Sequence, residues 1–372
     1  MNPLPAPLRQ VDRTHVLYQN RTLSYFGGCD YFRLSSHPAV LTALRAGLEK
    51  HGLTVAASRK TTGNHPLYET LEERLAEFFD VPDAVLLSNG YATNLVVGQA
   101  LAASYSHLLI DEQAHPSLVD AAAFFDCPII RFPCRDAEAV ARIVRRIGRA
   151  SRPVLLTDGM FSRDGGLAPI KDYLRLLPRD AVIVMDDAHG AGVLGQTGMG
   201  TAEELGVRSN RIIRTISLGK AFGVYGGAVL GSHSLCDRIR KRSGLFGGNT
   251  PLPLPLVTAT LKAVQLVRSD NSLRRRLAEN VDHVKNELRR SGFSVADRPS
   301  PIISVTPRRA RDAKQLSKQL LATRIYPSFI RYPREATGYF RFAISSEHSA
   351  AQLDCLVRAL VAGGVRGAAG AR

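Results

Sequence analysis

The chain is short of carboxylates. Asp and Glu number 33 in 372 residues against 49 Lys and Arg, a formal net charge of +16. Cysteine is also sparse: Cys29, Cys127, Cys134, Cys236 and Cys355 are scattered, odd in number and without CxxC spacing. That excludes a disulfide framework and a cysteine metal site as readings, and the expectation is reduced thiols in a cytoplasmic protein. Long hydrophobic runs are missing; even the stretch at 100–103 is soon broken by polar residues, so no membrane span is expected. The first residues, MNPLPAPLRQ, hold no apolar core of a secretory signal, so none is expected. Internal repeats and low-complexity linkers are absent too.

The basic excess concentrates at 142–152, 238–242 and 274–290, mostly on stretches with helical periodicity. A nucleic-acid partner would require a binding motif or an aromatic stacking pattern, and neither occurs. Solvated helix faces are the plain reading. The functional alternative is attraction of an anionic substrate, cofactor or acidic carrier protein. Charge alone does not decide between them.

Hydrophobic residues at 45% and charged residues at 22% suit a globular protein of more than one domain. Between about residues 68 and 228, helical patterns alternate with short apolar runs at 84–87, 108–110, 154–156 and 182–185. One such helical pattern, at 69–79, places Leu71, Leu75, Phe78 and Phe79 on one face. This alternation predicts an α/β fold with a mainly parallel sheet and helices on both faces. Ligands of such sheets sit beyond the carboxyl ends of the strands, so the polar residues after each run matter most. Residues 1–50 read as an arm and a first helix (40–49), 51–255 as a large domain, and 256–372 as a smaller α+β domain. The last begins with one long helical pattern through 256–290 and ends in a Gly/Ala-rich tail expected to fray.

Five strand ends carry candidate chemistry. In VIVMDDAHGAG, Asp186 ends a buried strand and His189 follows; the carboxylate can hold a protonated ring nitrogen or cap a helix. No matching ligand set supports a metal there. In TISLGKAFGVYGG, small neighbours let a planar ligand approach the Lys220 amine, and Ser217 can meet a phosphate. The spacing is not that of a Walker loop. In LLSNGYATN, the junction at Gly90 and Tyr91 offers backbone N–H groups at a helix start. His115 in DEQAHPS can stack on a ring, and Ser162 in TDGMFS can hydrogen-bond a ring hydroxyl. Each of these, alone, is an ordinary turn or cap.

Order and spacing change that. The segments DYFRLSSHPAV, ASRKTTGNHPLYETLE, SNGYATN, DEQAHPSL, TDGMFSRDGG, DDAHGAGVLG, SLGKAFGVYGG, GGNTPLPLP and YFRFAISSEH run in sequence from about Tyr31 to Leu360. Together they resemble the α-oxoamine synthases among the fold-type I pyridoxal-phosphate enzymes. The resemblance implies an aspartate aminotransferase-like fold, with a mostly parallel seven-stranded sheet domain and a smaller C-terminal domain. It implies pyridoxal 5'-phosphate bound covalently by Lys220, with Asp186 on the ring nitrogen, His115 on the ring face, and His189 and Ser162 near the ring hydroxyl. Lys220, His115 and Asp186 are the implied catalytic residues. Gly90, Tyr91 and Ser217 would hold the phosphate, joined by Asn249 and Thr250 from a second subunit, so a homodimer is implied. Arg341 and His65 would bind substrate.

The activity this implies is decarboxylative condensation of an amino acid with an acyl thioester, carried on CoA or an acyl carrier protein. A fold-type I lyase or aminotransferase would share the lysine and the aspartate but would not need DDAHGAGVLG and GGNTP together. Cys29 stands where the family usually has Asn, and Tyr68 where it commonly has His. Both departures concern the substrate end rather than the cofactor residues.

Overall fold

Strands form where the apolar runs lie, and seven of them join in one sheet. In spatial order they are Asp83–Leu87, Gly227–Gly231, Ile212–Ser217, Val182–Asp186, Pro153–Asp158, His107–Asp111 and Ile129–Phe132. All point the same way except Gly227–Gly231, which pairs antiparallel with both neighbours. The expected mainly parallel α/β architecture is therefore present. This computed structural model describes residues 5–148, 150–331 and 338–363; the expected frayed tail, from 364 onward, lies outside them.

Side chains alternate between the two faces of each strand and so feed two cores. Leu108, Ile110, Val154, Leu156 and Val184 pack on one face with Val96, Val97 and Leu118. Leu109, Leu155, Ile183 and Met185 pack on the other with Val140 and Tyr173. A strand covered on both sides needs an apolar residue at every position, hence the continuous runs.

The chain divides into two compact units. One comprises Leu34–Phe161 and Leu167–Asn271 and holds the whole seven-stranded sheet; the other comprises Met1–Arg33, Ser162–Gly166 and Ser272–Arg372. Breaks expected near 50 and 255 fall elsewhere, because the helices Pro38–His51 and Leu254–Ser269 both belong to the sheet-bearing unit. Gly47 is the reason they pack together. A Cβ there would stand 2.1 Å from Thr258 Oγ1, and Thr258 donates to the Ala43 carbonyl at 3.0 Å. The pattern expected to run through 256–290 is two helices, Leu254–Ser269 and Asn271–Arg290. They part at Asp270, whose φ of −104° and ψ of 87° leave helical space.

In the smaller unit, Tyr339–Ala343 is the central strand of an antiparallel sheet with Ile302–Val305 and Phe329–Ile330. Helices Ala310–Ala322 and Ala350–Ala362 accompany it. The expected N-terminal arm is a small sheet of Arg9–Gln10, His15–Tyr18 and Arg21–Ser24. Its hairpin turns through Gln19 and Asn20 at φ 48° and 59°, the left-handed pair that a tight two-residue turn requires. Among the described residues, no helix is long and apolar enough to cross a membrane.

Candidate active site

Asp158 and Asp186 end neighbouring parallel strands in register, both nearly closed off from water. Asp186 is held at both oxygens: the Ala188 N–H donates to Oδ1 at 3.0 Å, and the Asn94 amide donates to Oδ2 at 2.6 Å. Asp158 accepts the His115 backbone N–H at 2.8 Å. Burial pushes the Asp158 carboxyl well above the usual carboxylate range, and the charge of Asp186 beside it pushes the same way.

Asp187 has a different task. Its carboxylate accepts the Thr201 hydroxyl at 2.5 Å and the Thr201 N–H at 2.9 Å, tying two loops together. Burial raises its pKa to about 7. Cβ atoms built on Gly159, Gly190 or Gly200 would each fall within 2.7 Å of its carboxylate oxygens, so small residues surround it by necessity. His189, also buried, follows two residues later.

His115 caps the helix Pro116–Ala122, its Nδ1 accepting the Ser117 N–H at 3.3 Å with the Ser117 hydroxyl at 2.6 Å. Burial holds the imidazole below its usual pKa; the charge of Asp186 opposes this and that of Lys220 adds to it. The Tyr91 ring meets His115 edge-on at 6.0 Å.

Gly90 opens the helix Gly90–Leu101, capped by Asn89. A Cβ on Gly90 would lie 2.9 Å from the Ser217 Cβ, so this helix start presses against the end of the Ile212–Ser217 strand. Tyr91 sends its half-exposed side chain to Asp120, to which the hydroxyl donates, and that bond raises its pKa to about 12. Asn249 donates to Ser88 Oγ at 2.7 Å, just before the same helix start, and with Thr250 is exposed.

Lys220 is half-buried on the turn that leaves Ser217 and returns to Gly227, a pair matched across the two strands. Hydrogen bonds from Leu218 N–H to the Gly226 carbonyl at 3.0 Å, and from Gly223 N–H to that of Lys220 at 2.9 Å, close this turn. His65 caps the helix Pro66–Phe79 and meets His51 and Tyr68 edge-on. Ser162 and Arg341 belong to the smaller unit, where Arg341 Nη1 donates to the Ser162 carbonyl at 3.4 Å.

Asn94 is the residue that motif reading passes over. It lies in the quoted SNGYATN segment but carries no assigned task. It is 1% exposed, and all of its polar atoms are engaged: Asp186 and Ser117 on Nδ2, the Thr215 hydroxyl on Oδ1 at 2.7 Å. The helix also carries Thr93 and Gln99, so the amide alone gave no signal in the sequence.

The sequence profile of the family described as aminotransferase class I and II matches residues 28–360. The chain belongs to that family and has the fold of a fold-type I transferase. Within it, the chain is similar to the α-oxoamine synthases. An 8-amino-7-oxononanoate synthase from Methylococcus capsulatus is 36% identical over 352 residues, covering 93% of this chain and 90% of that protein. Another, from Thioalkalivibrio sulfidiphilus, is 34% identical over 344 residues, covering 91% and 88%. A solved serine palmitoyltransferase from S. paucimobilis, with bound PLP–myriocin aldimine, superposes with a TM-score of 0.90 at 23% identity, over 96% of this chain and 92% of that one. An 8-amino-7-oxononanoate synthase structure from Francisella tularensis gives 0.79 at 23%, over 91% and 97%. These two structures speak for the fold alone.

Proposed function

We propose that the chain is a pyridoxal-phosphate-dependent α-oxoamine synthase that joins L-alanine to a pimeloyl thioester, on CoA or an acyl carrier protein. Carbon dioxide and the thiol leave, and the product is 8-amino-7-oxononanoate, an intermediate of biotin synthesis. The observation that carries this reading is Asp186: a carboxylate almost closed off from water, held at both oxygens, at a strand end followed one strand later by Lys220.

The residues fit the cofactor. A sheltered carboxylate suits a protonated ring nitrogen, and the close approach of Gly90 to Ser217 leaves a helix start for the phosphate. When bound, the cofactor supplies a conjugated ring that takes up charge developing at the amino acid's α-carbon. Asp186 keeps the ring nitrogen protonated. Backbone N–H groups of Gly90 and Tyr91, with Ser217, hold the phosphate. His115 covers the ring face, and His189 and Ser162 serve the ring hydroxyl. Lys220 anchors the cofactor through its amine, then removes and returns the proton at the substrate α-carbon. Arg341 offers paired donors to the substrate carboxylate, and His65 borders the substrate.

Across the reaction, the thioester C–S bond breaks and a C–C bond forms at the α-carbon. The carboxyl group leaves as carbon dioxide, and a proton takes its place. The resemblance assigns Asn249 and Thr250 to the phosphate of a neighbouring subunit, which supports a homodimer as the working unit.

Purified protein supplied with pyridoxal phosphate is expected to gain a visible absorbance band that Lys220→Ala abolishes. It is expected to release carbon dioxide from L-alanine only when pimeloyl thioester is present. A colourless wild type overturns the cofactor assignment. Turnover of glycine or serine instead of alanine overturns the substrate pair, and amino-group exchange without carbon dioxide release overturns the class.

A further inference from the structure

We infer that Asn94 is a positioning residue which, through Ser117, fixes His115 as the neutral tautomer with its proton on Nε2, while holding Asp186 with its other amide hydrogen. The inference deepens the proposed function, on which it rests for what His115 and Asp186 face.

A carboxylate accepts only, so the Asn94 atom 2.6 Å from Asp186 Oδ2 must be the amide nitrogen. The amide oxygen then faces Thr215, whose hydroxyl donates to it at 2.7 Å. This leaves the second amide hydrogen for Ser117 Oγ, 2.8 Å away, so that oxygen accepts from Asn94. The Ser117 hydroxyl hydrogen is thereby free to point at His115 Nδ1, 2.6 Å off, and the Ser117 backbone N–H approaches the same nitrogen at 3.3 Å. A ring nitrogen that meets two donors serves as an acceptor, so a neutral His115 carries its hydrogen on Nε2.

Asn94, Ser117 and Thr215 are each 1% exposed or less, so no water competes for these bonds. The charged and titratable groups around His115 are Asp186 and Lys220, which act on its ring, Tyr91, which meets it edge-on, and Asp158, on which Asp111 also acts. Of these, Asp158 accepts the His115 backbone N–H and does not compete for the ring. Burial, which keeps the imidazole below its usual pKa, works in the same direction as the tautomer. The chemical consequence is that the Nε2 edge of His115 carries an N–H donor rather than a basic lone pair.

The test is a long-range 1H–15N spectrum of [15N]histidine-labelled holoenzyme near neutral pH, with His115 identified by the signals lost in His115→Gln. The wild type is expected to show a protonated Nε2 and an unprotonated Nδ1. Ser117→Ala removes the hydroxyl donor and is expected to move both shifts toward a mixture of tautomers. Asn94→Ala removes the amide that makes Ser117 Oγ an acceptor, and is expected to move them in the same direction. Ser117→Ala covers the case in which Asn94→Ala does not fold. A wild-type His115 protonated on Nδ1 overturns the inference, as does an Asn94→Ala or, should that not fold, a Ser117→Ala protein with unchanged His115 shifts. The visible absorbance of the same samples reports separately on the cofactor, so a failure of the proposed function is distinguishable from a failure here.

Discussion

Arg59 closes on Glu72 with two parallel contacts, Nη1 to Oε1 at 2.5 Å and Nη2 to Oε2 at 3.0 Å, and both side chains are less than a tenth exposed. The guanidinium also lies over the rings of Tyr68 at 4.9 Å and Phe246 at 5.7 Å. Glu72 in turn accepts the Leu86 N–H at 2.8 Å and has Arg240 3.6 Å away. The pair therefore fastens the Pro66–Phe79 helix to the first strand of the sheet. Removing Arg59 leaves a buried carboxylate only partly compensated by Arg240. Arg59→Ala is expected to lower unfolding free energy by about 3 kcal/mol, measured by urea denaturation. Arg59→Lys should recover only part of that, since an ammonium can neither fork nor stack in the same way.

Asp186→Asn keeps the shape and removes the charge. An amide cannot stabilise a protonated ring nitrogen, and its own NH2 would confront the Asn94 amide 2.6 Å away. The expected result is a fall in kcat on the order of 10² to 10³, comparable to removing one preorganised electrostatic partner of the transition state. Steady-state kinetics on the cofactor-loaded protein check this; a change of less than threefold would remove Asp186 from the site.

Arg341→Lys tests the grip on the substrate. Loss of the paired donors is expected to raise KM for the amino acid about tenfold, roughly 1.4 kcal/mol of binding. KM for the acyl thioester should stay unchanged. An equal rise in both would assign Arg341 to general stability instead.

His348 gives the smaller unit a defined response to acid. It is 4% exposed, stacks on Phe26 at 4.1 Å, and its Nε2 donates to the Tyr25 carbonyl at 3.1 Å. Burial above all, and the nearby charge of Arg33, lower its pKa to about 3, against an ordinary value of 6.5. Between those two values the unfolded chain binds a proton that the folded one does not. Stability is therefore complete above pH 6.5 and declines as the pH falls toward 3. About 2 kcal/mol should be lost between pH 6.5 and 5. Denaturant titrations at both values check this, and His348→Gln should show a smaller loss over the same interval.

How far the sequence speaks for itself varies from residue to residue. The strands were legible because burial on both faces demands unbroken apolar runs; Asp186, His115 and Lys220 became candidates only through the order and spacing of the segments that carry them. Asn94 was not legible. Its partners Ser117, Asp186 and Thr215 lie 23, 92 and 121 residues away, and an asparagine inside a helix leaves no periodic mark. The division of the chain was hidden for a similar reason. The contact of Gly47 with Thr258 joins distant segments, and the break at Asp270 has neither glycine nor proline to announce it.

The antiparallel strand of the seven-stranded sheet, Gly227–Gly231, has a consequence for assembly. Because Ser217 pairs with Gly227, the turn that carries Lys220 closes over a handful of residues, and loops of that length form quickly. Gly227 also pairs with Leu87, far back in the chain, and that contact must wait for the ends of a long loop to meet. The amine-bearing limb is thus set by local closure, while the limb that brings Gly90 depends on a late, long-range one. Slow steps in refolding are expected to delay the docking of the Gly90 helix start rather than the placing of the lysine.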